Sequence, residues 1–277
     1  MAFPRRLLSL SLRVKDLEAA LFFYRDLLGL KVEADPPRYR LFPEGRGFLL
    51  ELLHDPEAPL RPYPSLGLYH FALLLPHRKA LAGVFRRLLE AGAHFEGAAD
   101  HGVSEALYFR DPEGNGLELY RDRPKEAWPK GPLMFTAPLN LEKLLAENPD
   151  PTPLPPETLL GHLHLHVEDL AAAEAFFNGK LGMEVTLRTY PGALFFAWDG
   201  YHHHVGANTW AGRRKAPPGA TGSNVTMQPV SSTPRWASIV ASCAGSASSP
   251  MKFTCSSRRT GFRSLARRCQ SAPWRSM

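Results

Sequence analysis

Three histidines with the spacing of a β-strand could bind a metal ion. His162, His164 and His166 alternate with leucine, and alternate residues of a strand share one face. The leucines predict that the other face packs on a helix, which leaves the histidine face toward a cavity. Neutral imidazole is a common metal ligand and also an acid or base near neutral pH. The segment therefore predicts a metal site or a proton-transferring group.

A second histidine cluster follows Tyr201. Val205 and Ala207 mark the apolar side of the next predicted strand, and the alternation places His203 on that same side. The opposite, polar face is predicted to carry His202, His204 and Asn208.

The elements that would position these residues occur as an internal repeat. Residues 11–33 and 164–186 are identical at ten of 23 positions. Each copy predicts an alternating strand, an aspartate that caps a helix, an Ala- and Phe-rich helix, a Leu-Gly stop and further strands. A weaker copy starts at Leu68 and closes with two strands around a turn at residues 111–116. We therefore predict βαβββ modules at about 7–55, 67–121 and 160–210.

Composition divides the chain into four segments. Residues 1–123 are predicted to form a first domain of two modules, and residues 124–158, with nine prolines, a linker. Residues 159–218 are predicted to form the third module, half of a second domain. Residues 219–277 contain no Asp or Glu, are rich in Ser and Arg, and lack a sustained apolar period. This tail is either a frameshifted fourth module or a genuine disordered basic segment.

Charge and hydropathy exclude several classes of protein. Residues 1–199 carry 22 basic and 27 acidic residues, a balance of −5, whereas the remainder carries +11. The basic excess therefore belongs to the tail and not to a folded face of the kind that binds nucleic acid. No segment approaches the roughly 18 apolar residues of a membrane helix. We expect a cytoplasmic protein with no nucleic-acid partner and no membrane partner.

Two patterns resemble a known family. The opening pattern H-x-x-L-x-V-x-D-L at His162 and the closing pattern D-P-x-G-N-x-x-E at Asp111 resemble the vicinal oxygen chelate superfamily, which includes glyoxalase I, bleomycin-resistance proteins and extradiol dioxygenases. The segments GHLHLHVEDLAAAEAFF, GLYHFALLLP and GYHHHVGANTW are most similar to two-domain catechol 2,3-dioxygenases. The resemblance implies an α+β fold in which paired βαβββ modules form cupped mixed sheets, with three complete modules here and an irregular tail.

The resemblance also implies a metal site made of two His and one Glu, which suits Fe(II) or Mn(II). By the family motif His162 is the first ligand. On the polar face that the alternation predicts, His204 is the expected second ligand, with His202 as its rival. The carboxylate is expected from the last strand of the fourth module, but no acidic residue follows Asp199. Whether this chain is active is therefore left open by the sequence.

A second candidate metal site lies in the first domain. His70 and Glu118 occupy the matching positions of the second module, and Glu51 lies where glyoxalase-type members carry a carboxylate. Ser9 stands at the position equivalent to His162. The first domain is therefore either a metal-free relic or a working site of His70, Glu118 and Glu51.

The function that the resemblance implies is the extradiol cleavage of a small aromatic diol by O2 in aromatic catabolism. His164 and His202 are the expected catalytic acid or base, and the substrate is expected to contact Tyr201, Asn208 and Trp210. Two alternatives stay open: a glyoxalase-like metal-dependent isomerase or transferase, and a non-enzymatic binding protein like the bleomycin-resistance proteins. A homo-oligomer is compatible with each of them.

Overall fold

The computed structural model describes residues 5–47, 49–130 and 134–222, and the strands β13 (Val225–Pro229), β14 (Ser238–Ser242) and β15 (Lys252–Ser256). In this described part, no helix has the length and apolar character needed to cross a membrane. The three strands lie in the tail, for which the sequence pattern indicates no regular element. The rest of the tail from residue 223 lies outside the described residues, so the disordered or frameshifted tail over 219–277 stays a prediction.

The three predicted modules are present in chain order. The first consists of β1 (Leu7–Val14), α1 (Leu17–Leu21) with a π-helical continuation (Phe22–Leu27), β2 (Lys31–Asp35), β3 (Arg38–Phe42) and β4 (Leu50–His54). The second consists of β5 (Gly67–Leu74), α2 (Arg78–Glu90), β6 (Phe95–Asp100), β7 (Ser104–Arg110) and β8 (Gly116–Asp122). After a 3-10 turn (Lys125–Ala127) and α3 (Leu141–Leu145), the third consists of β9 (Leu159–His166), α4 (Leu170–Phe177), β10 (Glu184–Leu187), β11 (Ala193–Ala197) and β12 (Val205–Asn208).

The predicted aspartate caps are confirmed at the start of two helices. Asp16 Oδ1 accepts a hydrogen bond from the backbone N–H of Ala19 at 3.0 Å. Asp169 Oδ1 accepts from the N–H groups of Ala171 and Ala172 at 2.6 and 3.1 Å. These bonds satisfy donors that the first turn of a helix leaves without intrahelical partners.

The strands form two mixed sheets. One sheet has the order β10-β11-β12-β9-β5-β8-β7-β6, and the other has the order β15-β14-β13-β1-β4-β3-β2. In each module the first strand runs parallel to the last, as β9 with β12 and β5 with β8. The first sheet therefore joins the second module to the third, and the first module pairs with the tail strand β13.

The junction between the second and third modules is the antiparallel pair β5–β9. Phe71 lies opposite Leu163, and His70 lies opposite His164. Because apolar residues face apolar ones across this pair, one side of the sheet packs into the hydrophobic core that all three modules share. The other side carries the histidines, and this side forms the inner surface of the cup.

Candidate metal centre

Three side chains from neighbouring strands meet on the inner surface of the cup. Nε2 of His162, on β9, lies 3.0 Å from Oε2 of Glu118, on β8. Nε2 of His70, on β5, lies 3.1 Å from the same oxygen. All three residues are buried, and their ligand atoms lie within 4.8 Å of one another. Among the residues that the structure describes, this is the one group of three or more His, Cys, Asp or Glu side chains close enough to share a metal ion.

Small residues make this approach geometrically feasible. Ala72, on the central strand β5, lies opposite Glu118 on one side and His162 on the other. Its short side chain leaves the space between the two ligands open. A Cβ atom at Gly161 would lie 1.9 Å from the hydroxyl oxygen of Tyr120. Position 161, next to the ligand His162, therefore requires glycine because of packing against Tyr120.

The electrostatics favour the ligand forms of these groups. Burial alone would raise the pKa of Glu118, but the neighbouring His162 and His70 outweigh it and hold that pKa well below its usual value. Burial also lowers the pKa of His162, and Glu118 offsets only part of this shift. Near neutral pH the site therefore presents a carboxylate and a neutral His162 imidazole.

The donor set fits a divalent metal ion. Nε2 of His70 is buried 3.1 Å from Oε2 of Glu118, yet among the described residues it has no hydrogen-bond partner with correct geometry. Nε2 of His70 and Oε2 of Glu118 therefore point to the same space without bonding to each other. A lone pair and an anionic oxygen placed in this way suit a cation that both would bind. Two imidazoles and one carboxylate are the facial triad of non-haem Fe(II) oxygenases, which leaves coordination positions open.

A cavity of about 220 Å³ borders the three ligands. It is small beside typical drug-sized ligand pockets, and its lining is mostly aromatic. Besides the ligands, its wall includes Tyr69, His101, Tyr108, Met134, Thr136, His164, Tyr190, Phe195, His203 and Trp210.

Several of these wall residues are absent from the sequence predictions. Tyr108 lies opposite Glu118 in the β7–β8 pair, so strand alternation could have identified it. Its hydroxyl lies 2.7 Å from Nε2 of His101, and burial, with the charge of Glu118 second, raises its pKa well above the usual value. Met134 and Thr136 belong to the predicted linker, where no strand pattern indicates that they contact the site.

The structure places the second histidine cluster differently from its predicted alternation. His203 borders the cavity, and its ring centroid lies 4.1 Å from that of His162. His204, the predicted second ligand, instead accepts a hydrogen bond at Nδ1 from the backbone N–H of Trp198. Its ring packs against the indole ring of Trp198. The physical reason is that β12 begins only at Val205, so residues 201–204 form a loop to which strand parity does not apply.

His202 and Tyr201 also lie outside the cavity wall. Nε2 of His202 lies 2.8 Å from Oδ1 of Asp122, and the Tyr201 hydroxyl donates to Oδ2 of Asp122 at 2.8 Å. Nδ1 of His202 lies 2.7 Å from Nδ1 of His203. These two residues therefore stand behind His203, between the cavity and Asp122.

Other predicted residues border or adjoin the cavity. His164 and Trp210 line it, with ring centroids 5.4 Å apart, and Nε2 of His164 is buried without a hydrogen-bond partner in the described residues. Burial, reinforced by nearby His70, lowers the pKa of His164 well below its usual value. Asn208 is buried but is not among the residues that line the cavity, and its Oδ1 lies 2.7 Å from Nδ1 of His166.

Glu51 is separated from His70 and Glu118, because β4 belongs to the other sheet. Its Oε1 accepts hydrogen bonds from the hydroxyl of Ser11 at 3.0 Å and from the guanidinium of Arg38 at 2.8 Å. The structure therefore combines His70 and Glu118 with His162 from the third module, and neither predicted ligand set is assembled as a whole.

Comparisons with known proteins found a family model and relatives that this chain resembles. A model of the Glyoxalase/Bleomycin resistance protein/Dioxygenase superfamily matches residues 6–119. A catechol-2,3-dioxygenase of Bacillus subtilis (strain 168) is 44% identical over 223 residues, which span 77% of this chain and 77% of that protein. Biphenyl-2,3-diol 1,2-dioxygenase 3 of Rhodococcus globerulus is 30% identical over 125 residues, 44% of this chain and 66% of that protein.

Solved structures show the same fold at low sequence identity. A dioxygenase structure from Bacillus subtilis matches with a TM-score of 0.58 and 16% identity, covering 81% of this chain and 70% of that one. Glyoxalase I from Zea mays matches with a TM-score of 0.50 and 18% identity, covering 80% of this chain and 74% of that one. At these identities the match concerns the arrangement of modules and not the chemistry.

Proposed function

Because this chain belongs to the Glyoxalase/Bleomycin resistance protein/Dioxygenase superfamily, we propose that it is an extradiol dioxygenase that cleaves a small catechol with O2. The observation that carries the proposal is the convergence of two imidazole nitrogens and one carboxylate within 4.8 Å beside a small aromatic-lined cavity. The 44% identical relative named as a catechol-2,3-dioxygenase supports the same reaction class.

The metal that we propose for this site is Fe(II), with Mn(II) as the alternative. His70, His162 and Glu118 would hold it, so the chain supplies a carboxylate even though no acidic residue follows Asp199. When bound, the ion supplies Lewis acidity and the one-electron chemistry that O2 requires.

The cavity wall suits a single aromatic ring with two hydroxyl groups. Tyr69, Phe195 and Trp210 offer ring faces and edges for an aromatic substrate. The buried Nε2 of His164 has no partner in the described residues and would hydrogen-bond a substrate hydroxyl. Burial keeps the proton on the Tyr108 hydroxyl by raising its pKa, and this hydroxyl would donate to a substrate oxygen when Nε2 of His101 is the donor in their 2.7 Å contact.

The acid or base that we propose is His203, in place of His202. His203 borders the cavity, and its buried imidazole has a pKa well below its usual value, first because of burial and then because of nearby His162. A neutral imidazole there would accept a proton from a substrate hydroxyl and return it during ring opening. In the net reaction the C–C bond between one hydroxyl-bearing carbon and its ring neighbour without a hydroxyl group breaks, and both oxygen atoms of O2 enter the product.

The glyoxalase-like alternative predicts a site that includes Glu51. That residue lies in the other sheet, bonded to Ser11 and Arg38. The dioxygenase donor set is therefore favoured by the geometry.

Oxygen consumption tests the proposal directly. The full chain would be loaded anaerobically with Fe(II) and mixed with catechol and O2 in an oxygen-electrode cell. We expect consumption of one O2 per catechol and absorbance from a conjugated, ring-opened product. Binding of catechol without O2 uptake by the Fe(II)- and Mn(II)-loaded protein would refute a dioxygenase and favour the binding-protein alternative.

A further inference from the structure

A chain of hydrogen bonds leads from the cavity wall to the protein surface. Nδ1 of His203 lies 2.7 Å from Nδ1 of His202, and Nε2 of His202 lies 2.8 Å from Oδ1 of Asp122. His202 is fully buried, whereas the Asp122 side chain is 24% exposed. The chain thus connects a buried imidazole beside the metal site to a carboxylate that solvent reaches.

The hydrogen-bonding capacity of each group determines the direction of these bonds. An ionised carboxylate only accepts, so Nε2 of His202 must carry the proton in that contact. A neutral His202 with its proton on Nε2 has a lone pair on Nδ1. His203 then donates from Nδ1, and its own Nε2, on the other side of the ring, keeps a lone pair.

The backbone of this loop is held separately from the imidazole chain. The hydroxyl of Thr186 donates to the carbonyl oxygen of His202 at 2.6 Å, and Trp128 packs against the His202 ring with a centroid distance of 5.5 Å. The loop backbone and the packing of the ring therefore have their own contacts, and the bond to Asp122 is the contact that determines which ring nitrogen of His202 carries the proton.

We propose that Asp122 and His202 are positioning residues that hold His203 in the Nδ1–H tautomer, with an Nε2 lone pair available in the cavity. This inference rests on the proposed function only for its kinetic consequence, since the tautomer itself is a property of the protein. An acceptor at position 122 matters because, without it, His202 can move its proton to Nδ1 and force His203 to protonate at Nε2. His203 would then meet a substrate hydroxyl with a donor in place of an acceptor.

The test combines histidine nitrogen chemical shifts with steady-state kinetics. Full-length protein labelled with ¹⁵N-histidine and loaded with diamagnetic Zn(II) would report the tautomer of each ring, and a His203→Gln sample would assign His203. Fe(II)-loaded protein would provide kcat and KM for catechol. The variants are Asp122→Leu, which removes the acceptor, and Asp122→Asn, which retains an acceptor oxygen. Thr186→Val is the matched control, which removes only hydrogen bonds to the backbone carbonyls of His202 and Phe195.

We expect Nδ1–H at His203 in the wild type and in Thr186→Val, and Nε2–H in Asp122→Leu. We expect kcat of Asp122→Leu to fall about 10- to 100-fold with KM within about threefold, and Asp122→Asn to recover most of the loss. An Nε2–H tautomer at His203 in the wild type would overturn the proposal, as would an unchanged tautomer and kcat in Asp122→Leu. Should Asp122→Leu not fold, the wild-type spectrum and the spectrum of Asp122→Asn still test the proposal, because an Nε2–H tautomer at His203 in either protein would contradict it.

Failure of the proposed function gives a different result. A wild-type protein that has the Nδ1–H tautomer but does not consume O2 would refute the dioxygenase and leave the positioning of His203 supported. A wild-type protein that consumes O2 but shows Nε2–H at His203 would refute only the positioning.

Discussion

Oε2 of Glu118 lies 3.0 Å from Nε2 of His162, although the two residues belong to different modules and are 44 positions apart in the chain. The strand β5 lies between their strands, and its small residue Ala72 faces both of them. The candidate metal centre is therefore a property of the junction between the second and third modules. It does not require a carboxylate from the tail.

Replacement of Glu118 by Gln is expected to weaken divalent metal binding by at least about tenfold, because the only anionic ligand of the site becomes a neutral amide. Titration calorimetry of the metal-free full chain with Mn(II) or Zn(II) would measure the affinity. Glu51→Gln is the matched control, since Glu51 is a buried carboxylate of the other sheet. Equal losses in the two variants would contradict the assignment of Glu118.

Substitution of Gly161 by Ala is expected to destabilise the fold by about 1–3 kcal/mol, because the added methyl would meet the hydroxyl of Tyr120. The adjacent His162 would shift with the strand, so metal affinity should fall as well. Gly47→Ala provides the control, because a Cβ at Gly47 meets no atom within 4 Å. Urea denaturation of both variants would give the difference in free energy of unfolding, and an unperturbed Gly161→Ala protein would contradict the packing.

Two neighbouring histidines are expected to differ sharply in their effect on catalysis. His203→Gln should lower kcat about 100-fold, the usual contribution of a positioned acid or base. His204→Gln should stay within a few-fold of the wild type, since His204 packs on Trp198 outside the cavity wall. Oxygen-uptake kinetics of the two Fe(II)-loaded variants would compare them. A larger effect of His204→Gln than of His203→Gln would contradict the loop conformation that places His203 at the cavity. It would support the strand alternation, which places His204 there.

Acid is expected to destabilise the metal-free protein through its buried histidines. Burial lowers the pKa of His166 and of His204 to about 4, below the value of about 6.5 for an unfolded histidine. Between these two values the unfolded chain binds more protons than the folded one, so the free energy of unfolding must fall as the pH falls from about 6.5 toward 4.

His204→Gln should reduce the pH dependence of stability between pH 7 and pH 5 by on the order of 1 kcal/mol. Gly47→Ala is the control, because it changes no titratable group and adds a methyl where no atom lies within 4 Å, and it should leave the slope unchanged. Denaturation with urea in the presence of a chelator would separate this effect from the loss of metal. A wild-type stability that is constant over this pH range would contradict the lowered pKa values.

Local patterns in the sequence determined the modules and the individual ligand types. The repeat placed the aspartate caps at Asp16 and Asp169, alternation identified the histidine face of β9, and the family pattern identified His70 and Glu118 as candidate ligands. These features follow from neighbouring residues, since side-chain direction in a strand and capping at a helix depend on contacts only a few positions apart. The family resemblance then supplied the chemistry of two His and one Glu.

Only the tertiary structure decided which ligands meet. His162 was assigned to one metal site and His70 with Glu118 to another, because the order of modules along the chain does not specify which sheet edges pair. That choice is made by long-range contacts, here between β5 and β9, whose apolar sides enter one common core. The same holds for His203, because a loop has no side-chain period and its direction is set by the surrounding packing and by the hydrogen bond of His202 to Asp122.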